Sequence, residues 1–419
     1  MLIQFNFRNY KSFRDDTSLD MTATRISEFS NHVVENGGDK VLSLAAIYGA
    51  NASGKSNVYE AFRFMKEYVV NSFGYGGSNH FGEQMKVTPY LLDTDSRNED
   101  SEFEVFFTNP TDKRERVYQY GFCIKGTNII EEWLYTKAKT SRNVYKTIFY
   151  RKEGEELVTE GLPNKAVDNL KVSLEDETLI VSLGAKLKID ILKQVRDWFA
   201  NNAVVDFGSS DMDYFGLDKL PEGFTSDEEV RKRVVEYLSS FDNSIVGFEV
   251  EETRSLDEKA EKNYKISTLH RVKGREELQR IPLMSESSGT LKMFALYPIL
   301  KNVFENGSVL FADELNSKLH PLLGRNIMLS FLMPEINPNH AQLIMTTHDI
   351  WQFSNDFLRR DELWITDKDS EGASSLYSVA DFKDESGSKV RKNEALYKNY
   401  LVGNYGGIPA LKPLGIMEE

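Results

Sequence analysis

Hydrophobic and polar positions alternate at the start of the chain, which predicts strands over residues 2–7 and 17–21. An apolar run over residues 41–48 leads into a glycine-rich turn. Hydrophobic residues then recur at helical spacing over residues 56–70. A phosphate-binding loop requires a strand, a glycine loop and a helix in this order.

The middle of the chain changes from a strand-like to a helix-like pattern. Four strands with turn residues between them predict an antiparallel sheet, and the stretch that follows is mostly helical before strand character returns. Strands and helices then alternate as in an α/β layer. The predicted strands are 103–107, 117–124, 129–135, 145–151, 248–252, 265–271, 308–313 and 342–347, and the clearest helices are 187–199, 227–241, 289–304 and 321–331.

These patterns predict an α/β protein with a mixed sheet, an antiparallel β subdomain and a mostly helical inserted arm. Residues 1–163 form an N-terminal lobe with the glycine loop and the antiparallel sheet. Residues 164–244 form the arm, and residues 245–419 form a C-terminal lobe.

The glycine loop matches the phosphate-loop pattern G-x-x-x-x-G-K-[ST] at every fixed position. Its glycines allow several backbone N–H groups to point at one phosphate, and the helix dipole adds positive potential. The lysine is expected to reach the β- and γ-phosphates of ATP, and the serine hydroxyl to ligate Mg²⁺. The nucleotide-binding residues are Gly49, Ala50, Asn51, Ala52, Ser53, Gly54, Lys55, Ser56 and the following Asn57.

A second candidate site lies at the end of an apolar strand, where Asp313 and Glu314 are adjacent. Asp313 is expected to hold Mg²⁺, and Glu314 to orient and polarise the attacking water. Adjacent acids at a strand end are also a common surface feature, so this interpretation depends on the complete phosphate loop elsewhere in the chain.

Two further segments suit a phosphate site. His348 follows an apolar strand, where it is either a γ-phosphate contact or simply a histidine with hydrogen-bond partners at a strand end. Residues 286–290 open a helix with small residues. There, Ser287 or Ser288 would cap an anion-binding helix terminus, although the same pattern describes any capped helix.

In this order the motifs resemble the ABC-type ATPase heads of the RecF and SMC group. Residues 49–56 are similar to Walker A, residues 310–314 to Walker B, and residues 286–290 to the signature motif. His348 resembles the histidine of the H-loop. Asn316 and Ser317 begin a segment similar to the D-loop, and residues 9–13 look like the family's N-terminal turn.

The resemblance implies a head-to-head homodimer, or a higher oligomer of such dimers, with two ATP molecules between the subunits. Ser287, Ser288 and Gly289 of one subunit would contact the γ-phosphate held at Lys55 of the other. ATP would then join the subunits and hydrolysis would release them.

The resemblance is incomplete in the middle of the chain. Gln119 lies in a strand pattern, and no spacing argument makes it the glutamine of the Q-loop. No long coiled coil interrupts the heads. Residues 359–364 and 400–409 resemble stand-alone prokaryotic ATPases of the AAA_15 and AAA_21 type, including the AbiL and RloA phage-defence ATPases. This implies a separately encoded effector protein.

Composition narrows the setting. The net charge is −14, from 51 basic and 65 acidic side chains, so nucleic-acid binding is possible locally but is not signalled globally. Basic clusters such as residues 113–116 read most simply as solvated faces. One cysteine, no signal peptide and no apolar run of ~20 residues indicate the cytoplasm without membrane insertion.

Three functions remain open at this stage. The first is an ATP-driven dimeric switch that controls an effector in anti-phage defence, and the second is a RecF-like DNA-repair ATPase. The third is a single-chain nuclease of the OLD type, which is disfavoured because 71 residues after His348 are too few for a further domain. Residues 367–369 resemble an acidic metal pair, but their flanks predict a hairpin instead.

Overall fold

The computed structural model describes most of the chain. The described residues are 1–36, 38–74, 85–138, 144–209, 220–253, 263–317, 319–383, 387, 389–392 and 394–409. Lys318, part of the predicted D-loop segment, lies outside them, as do residues 210–219 of the predicted arm. Within these ranges, every helix is too short or too polar to cross a bilayer.

Strands and helices are numbered separately in chain order. The strands are β1 (Leu2–Arg8), β2 (Thr17–Asp20), β3 (Val33–Asn36), β4 (Asp39–Leu42), β5 (Leu44–Gly49), β6 (Ser101–Thr108), β7 (Arg116–Lys125), β8 (Asn128–Ala138), β9 (Lys146–Lys152), β10 (Ala203–Asp206), β11 (Ile245–Thr253), β12 (Asn263–Arg271), β13 (Leu278–Pro282), β14 (Val309–Asp313), β15 (Gln342–Thr346), β16 (Leu363–Lys368) and β17 (Ser374–Ser378). The helices are α1 (Lys55–Asn71), α2 (Asn164–Ser173), α3 (Ile180–Lys186), α4 (Asp190–Asn201), α5 (Glu228–Ser239), α6 (Ser288–Asn306), α7 (Pro321–Leu332) and α8 (Leu396–Leu401).

The predicted antiparallel sheet is present, with strand order β2-β1-β6-β7-β8-β9. Residues of β6 alternate strictly between buried and half-buried positions, which is the pattern of a sheet with one face on the core. The sheet packs on α1, where the ring centroids of Phe5 and Phe62 lie 5.3 Å apart.

A second sheet carries the predicted α/β layer, in the order β10-β14-β15-β5-β16-β17. Its strands are parallel except for the hairpin of β16 and β17. All residues of β5, β14 and β15 are buried, because helices or the other sheet cover both faces. The predicted combination of a mixed sheet and an antiparallel subdomain is therefore confirmed, and residues 367–369 lie at the predicted hairpin.

Two hydrophobic cores lie on opposite faces of the parallel sheet. One core fills the space between this sheet, α1 and the antiparallel sheet, and the other lies beneath α5, α6 and α7. Buried Gln342 links the two sheets, because its amide nitrogen donates to the carbonyls of Leu2 and Leu42 while its oxygen accepts from the Leu2 amide.

Among the described residues, the segment 164–244 is mostly helical, as predicted. Residues of α2, α3 and α4 belong to the first core, whereas α5 packs in the second. Between them, β10 forms the edge of the parallel sheet beside β14. The sequence did not reveal β10, because four residues carry little periodic signal and tertiary pairing decides their conformation.

Candidate functional site

The glycine loop connects β5 to α1 and turns sharply. Ala52 and Gly54 adopt positive φ angles of 63° and 112°. The Lys55 ammonium donates to the carbonyls of Gly49 and Ala50, both at 2.9 Å. Within the described chain, the backbone N–H groups of Gly54, Lys55 and Ser56 have no backbone or side-chain acceptor. They are therefore available to an anion at the start of the helix.

Gly49 must be a glycine because the chain folds closely around it. A Cβ atom there would lie 2.3 Å from Thr366 Oγ1 and 2.5 Å from Ser53 Oγ, whose hydroxyls are hydrogen-bonded to each other at 2.6 Å. The C-terminal segment closes the other side, where a Cβ on Gly407 would lie 3.6 Å from Gly49 Cα. This packing fixes the start of the loop.

Asp313 ends β14 and is buried. Burial raises the pKa of its carboxyl group, while hydrogen bonds from the Thr346 and Ser56 hydroxyls oppose that shift. Ser56 is the second residue of α1, so the buried carboxylate and the serine hydroxyl lie side by side. Oxygen donors of these two kinds suit Mg²⁺.

Glu314 follows Asp313 in a left-handed backbone conformation, with φ of 49°. Its amide donates to Thr346 Oγ1 at 2.9 Å. Its carboxylate lies beside Gly208, since a Cβ on Gly208 would be 2.7 Å from Glu314 Oε2. A non-glycine residue at positive φ is unfavourable, so the surrounding contacts hold Glu314 in this position.

His348 follows β15 and shares the electrostatic environment of the glycine loop. The pKa of its imidazole is lowered by partial loss of solvent and by the charge of Lys55, although more than a third of the residue is exposed. The pKa of Lys55 is in turn lowered to about 8 by burial, against the attraction of Asp313 and Glu314. The structure therefore brings these four predicted residues together.

The predicted signature residues lie at the start of α6. Ser287 caps the helix by accepting a 3.1 Å hydrogen bond from the Thr290 amide, while Ser287 and Ser288 are exposed. Gly289 is half-buried. Among the described residues, no hydrogen bond joins these three to the glycine loop of the same chain.

The predicted D-loop lies against α7. The side-chain nitrogen of Asn316 donates to the Asp349 carboxylate at 3.0 Å. The side-chain oxygen of Asn316 is buried beside Gly324. Ser317 accepts a hydrogen bond from Lys292 of α6. The turn after β14 thus contacts both neighbouring helices.

The predicted N-terminal turn supports the start of α1. The Ser12 hydroxyl accepts from Asn57 at 2.7 Å and bonds with the Ser374 hydroxyl at 2.8 Å. Gln119, by contrast, lies in the antiparallel sheet and donates to Glu104 at 2.7 Å. Its contacts therefore do not connect it to the glycine loop.

Sequence reasoning missed three supporting residues. Thr346 bonds Asp313, Lys292 is buried between α6 and the turn after β14, and Gly407 packs behind Gly49. Only Lys292 carried a local signal, as a charged residue within an apolar helical stretch.

The glycine loop lies between the parallel strand β5 and a helix, and the paired acids end β14, which is the second neighbour of β5 in the sheet. This arrangement defines a P-loop nucleotide-binding domain. The chain belongs to the family described as "AAA domain, putative AbiEii toxin, Type IV TA system", whose profile matches residues 44–350. This confirms the predicted relationship to AAA_21-type ATPases. No curated protein sequence matches the chain.

Similar solved structures include an SMC head bound to the C-terminal winged-helix domain of ScpA, at 13% identity and a TM-score of 0.44. They also include the recombination mediator RecF with ATP, at 12% identity and a TM-score of 0.35. Each comparison covers 90% of this chain and 97% of the other. Because these TM-scores are low, the assignment of the chain to the P-loop ATPases rests on the strand order and on the family match.

Proposed function

We propose that this protein binds ATP with Mg²⁺ at the glycine loop and hydrolyses it as a dimeric switch. The observation that carries the proposal is the convergence of Lys55, Asp313, Glu314 and His348, whose charges act on one another at one edge of the parallel sheet. These residues come from three separate strand ends, so their proximity is a property of the fold.

The residues present fit both ligands. Free N–H groups of the loop and the Lys55 ammonium suit phosphate oxygens, while Ser56 and Asp313 suit Mg²⁺. Among the described residues, no group of three or more acidic, histidine or cysteine side chains forms a metal cluster. A cation at Ser56 and Asp313 would therefore share its coordination with phosphate and water, as Mg²⁺ does at nucleotide sites.

The acidic turn suits the chemical step. Glu314 would orient and polarise the attacking water, and Mg²⁺ would neutralise charge on the phosphates. His348, with its lowered pKa, would be neutral at pH 7 and would hydrogen-bond the γ-phosphate. Asp313 would remain a ligand rather than a base, because Ser56 and Thr346 already contact it.

The exposed position of Ser287 and Ser288 supports a composite site. These serines and Gly289 would contact the γ-phosphate bound to a second copy of the chain, as the helix dipole favours. Lys292 and Ser317 would then connect the signature helix to the acidic turn of the same subunit.

Two variants test this function. Lys55→Ala is expected to abolish binding of a fluorescent ATP analogue. Glu314→Gln is expected to retain ATP, lower turnover by about a hundredfold or more, and yield an ATP-dependent dimer in light scattering. Lys86→Ala, an exposed change away from the site, should leave both measurements unchanged. Parental turnover by Glu314→Gln would refute its role as the base.

The same switch would control a separately encoded effector in anti-phage defence. The family description, which names a toxin of a toxin–antitoxin system, supports a partner protein. A RecF-like DNA-repair ATPase is the alternative, favoured by the exposed basic residues Lys113 and Arg114. The product of the neighbouring gene should co-purify with the parental protein. Loss of that co-purification in the Glu314→Gln variant with ATP bound would support effector control.

A further inference from the structure

A large cleft lies in the N-terminal half, distinct from the nucleotide site. It is bounded by the turn between β6 and β7, the adjoining ends of β8 and β9, helices α2 and α4, and the turn between α3 and α4. Its volume is about 1460 Å³. Pockets for small ligands usually measure roughly 300–1,000 Å³, so this cleft has room for a longer molecule.

Basic side chains dominate the rim. Five exposed cationic residues line the cleft, and none has an ion-pair partner among the described residues. The exposed acids of the lining are Glu160 and Asp190. The cleft is therefore locally positive on a chain whose net charge is −14. The five residues are Lys113, Arg114, Lys146, Lys165 and Lys188.

The floor of the cleft is a fixed polar network. Asp112 is buried and accepts from Arg116 at 2.8 and 3.1 Å, and hydrogen bonds from Arg116 and Tyr118 lower the pKa of its carboxyl group despite burial. Gln194 of α4 accepts from Arg116 at 3.3 Å. This pairing neutralises the third acid of the lining and anchors the turn that presents Lys113 and Arg114.

The sequence predicts a solvent-exposed face over residues 113–116, but only part of it is exposed in the structure. Arg116 points inward to Asp112, whereas Lys113 and Arg114 remain exposed at the cleft. The half-buried Tyr145 and the partly exposed Leu187 also line the cleft, and the Lys137 ammonium lies 5.3 Å from the centroid of the Tyr145 ring. Aromatic and apolar surface between cations is the combination on which unpaired bases stack while phosphates are held.

We infer that this cleft binds single-stranded nucleic acid through its phosphate backbone, with bases against Tyr145 and Leu187. Unpaired cations suit a polyanion, and the volume leaves room for more than a mononucleotide. A duplex would hide its bases from the aromatic surface. This activity goes beyond nucleotide binding at Lys55 and does not depend on hydrolysis.

The test is fluorescence anisotropy of the full chain with labelled oligo-dT and oligo-U of thirty nucleotides, across a salt series. Five phosphate contacts predict a log–log slope of about −3.5, or a hundredfold loss of affinity between 50 and 200 mM salt. Lys113→Glu, Arg114→Glu, Lys146→Glu and Lys165→Glu together should weaken binding at least tenfold at 50 mM salt.

A matched variant separates the cleft from total charge. Lys86→Glu, Lys273→Glu, Arg275→Glu and Lys398→Glu together change the net charge equally but line no part of the cleft, so binding should fall by less than threefold. Lys188→Gly removes one cation at a φ of 61°, where glycine is favoured, and should reduce the slope by about 0.7 without unfolding the chain.

Three results would overturn the inference. They are no binding at 50 mM salt, equal losses in the cleft and control variants, or cleft-dependent preference for a duplex of the same length. Displacement of the oligonucleotide by polyglutamate at equal charge concentration would instead assign the cleft to an acidic protein segment. ATPase activity of each variant, measured in parallel, separates this outcome from failure of the nucleotide site.

Discussion

The ammonium group of Lys292 donates a hydrogen bond to the main-chain carbonyl of Ser317 and another, of 2.9 Å, to that of Phe207. Lys292 lies five residues after Ser287, and only 1% of it is exposed. Ser317 belongs to the turn that begins at Glu314. A short, buried connection therefore joins the start of α6 to the acidic turn, and a displacement of one would act directly on the other.

Lys292→Met should weaken that connection. The two carbonyls would lose a charged donor, so we expect the free energy of unfolding to fall by about 1–3 kcal/mol. ATP turnover should fall more than ATP affinity, because Lys55 and its loop are untouched. Urea unfolding and steady-state ATPase assays measure the two effects.

Lys301→Met is the matched control on the same helix. Lys301 is exposed and its pair with Glu305 spans 3.6 Å at the surface, so its loss should cost less than about 0.5 kcal/mol. Equal kcat in the parental protein and Lys292→Met would show that the buried lysine supports folding alone.

The pKa of Lys55 predicts how nucleotide affinity depends on pH. Burial lowers that pKa to about 8 in the free protein. Bound phosphate stabilises the charged form and raises the pKa, so affinity should be constant below pH 8 and fall up to about tenfold per unit above it. Calorimetric titration with ADP from pH 7 to 9.5 measures this. Any residual binding by Lys55→Ala should lack the same trend.

Thr346→Val should move the acidic limb of the ATPase profile to higher pH. The Thr346 hydroxyl donates to Asp313 and lowers its pKa, so its removal raises that pKa further. In the proposed function the ionised carboxylate binds Mg²⁺, so protonation would then compete with Mg²⁺ at higher pH. The measurement is kcat/KM against pH at limiting Mg²⁺, and Thr346→Ser, which keeps the hydroxyl, should resemble the parental profile.

Gly407→Ala should disturb the glycine loop through the residues that pack between Gly407 and Gly49. Its φ is 65°, and an added Cβ would lie 2.5 Å from the Ile365 side chain and 3.0 Å from the Thr366 carbonyl. Because Thr366 contacts Gly49, we expect weaker ATP binding as well as a loss of stability of about 2–4 kcal/mol.

Gly274→Ala separates the two causes of that loss. Gly274 has a φ of 79° but no atom within 4 Å of an added Cβ, so only backbone strain of about 1–2 kcal/mol is introduced. Thermal unfolding with and without ATP compares the variants. If ATP stabilised Gly407→Ala as much as it stabilises the parental protein, the packing of Gly407 behind Gly49 would not matter for ATP binding.

The sequence predicted the site where its signals were local. A glycine loop between an apolar strand and a helix, and acids at a strand end, are contiguous patterns, so residues 49–56 and Asp313 could be proposed from the sequence alone. Gly407 and Thr346 were missed because their importance comes from contacts with distant parts of the chain. For β10 the decisive interaction is pairing with β14, which four residues of sequence do not reveal.

Glu132 provides a stability prediction independent of the nucleotide site. Its buried carboxyl group accepts from the Ile180 amide at 2.7 Å, the Val181 amide at 3.2 Å and the Tyr120 hydroxyl at 3.0 Å. Burial raises its pKa to about 7, despite the opposing Arg151 charge and these hydrogen bonds. In the unfolded chain the pKa of a glutamate is about 4.3.

The folded state therefore binds the proton more tightly, and the resulting stabilisation is complete below the unfolded pKa and lost as pH rises towards 7. Glu132→Gln cannot titrate, so the difference in unfolding free energy between the parental protein and this variant should shrink between pH 5 and pH 8, by on the order of 2–3 kcal/mol. Urea unfolding at both pH values measures it. Exposed Glu156→Gln should show no such change, and an identical difference for Glu132→Gln at both pH values would mean that Glu132 is ionised throughout the range.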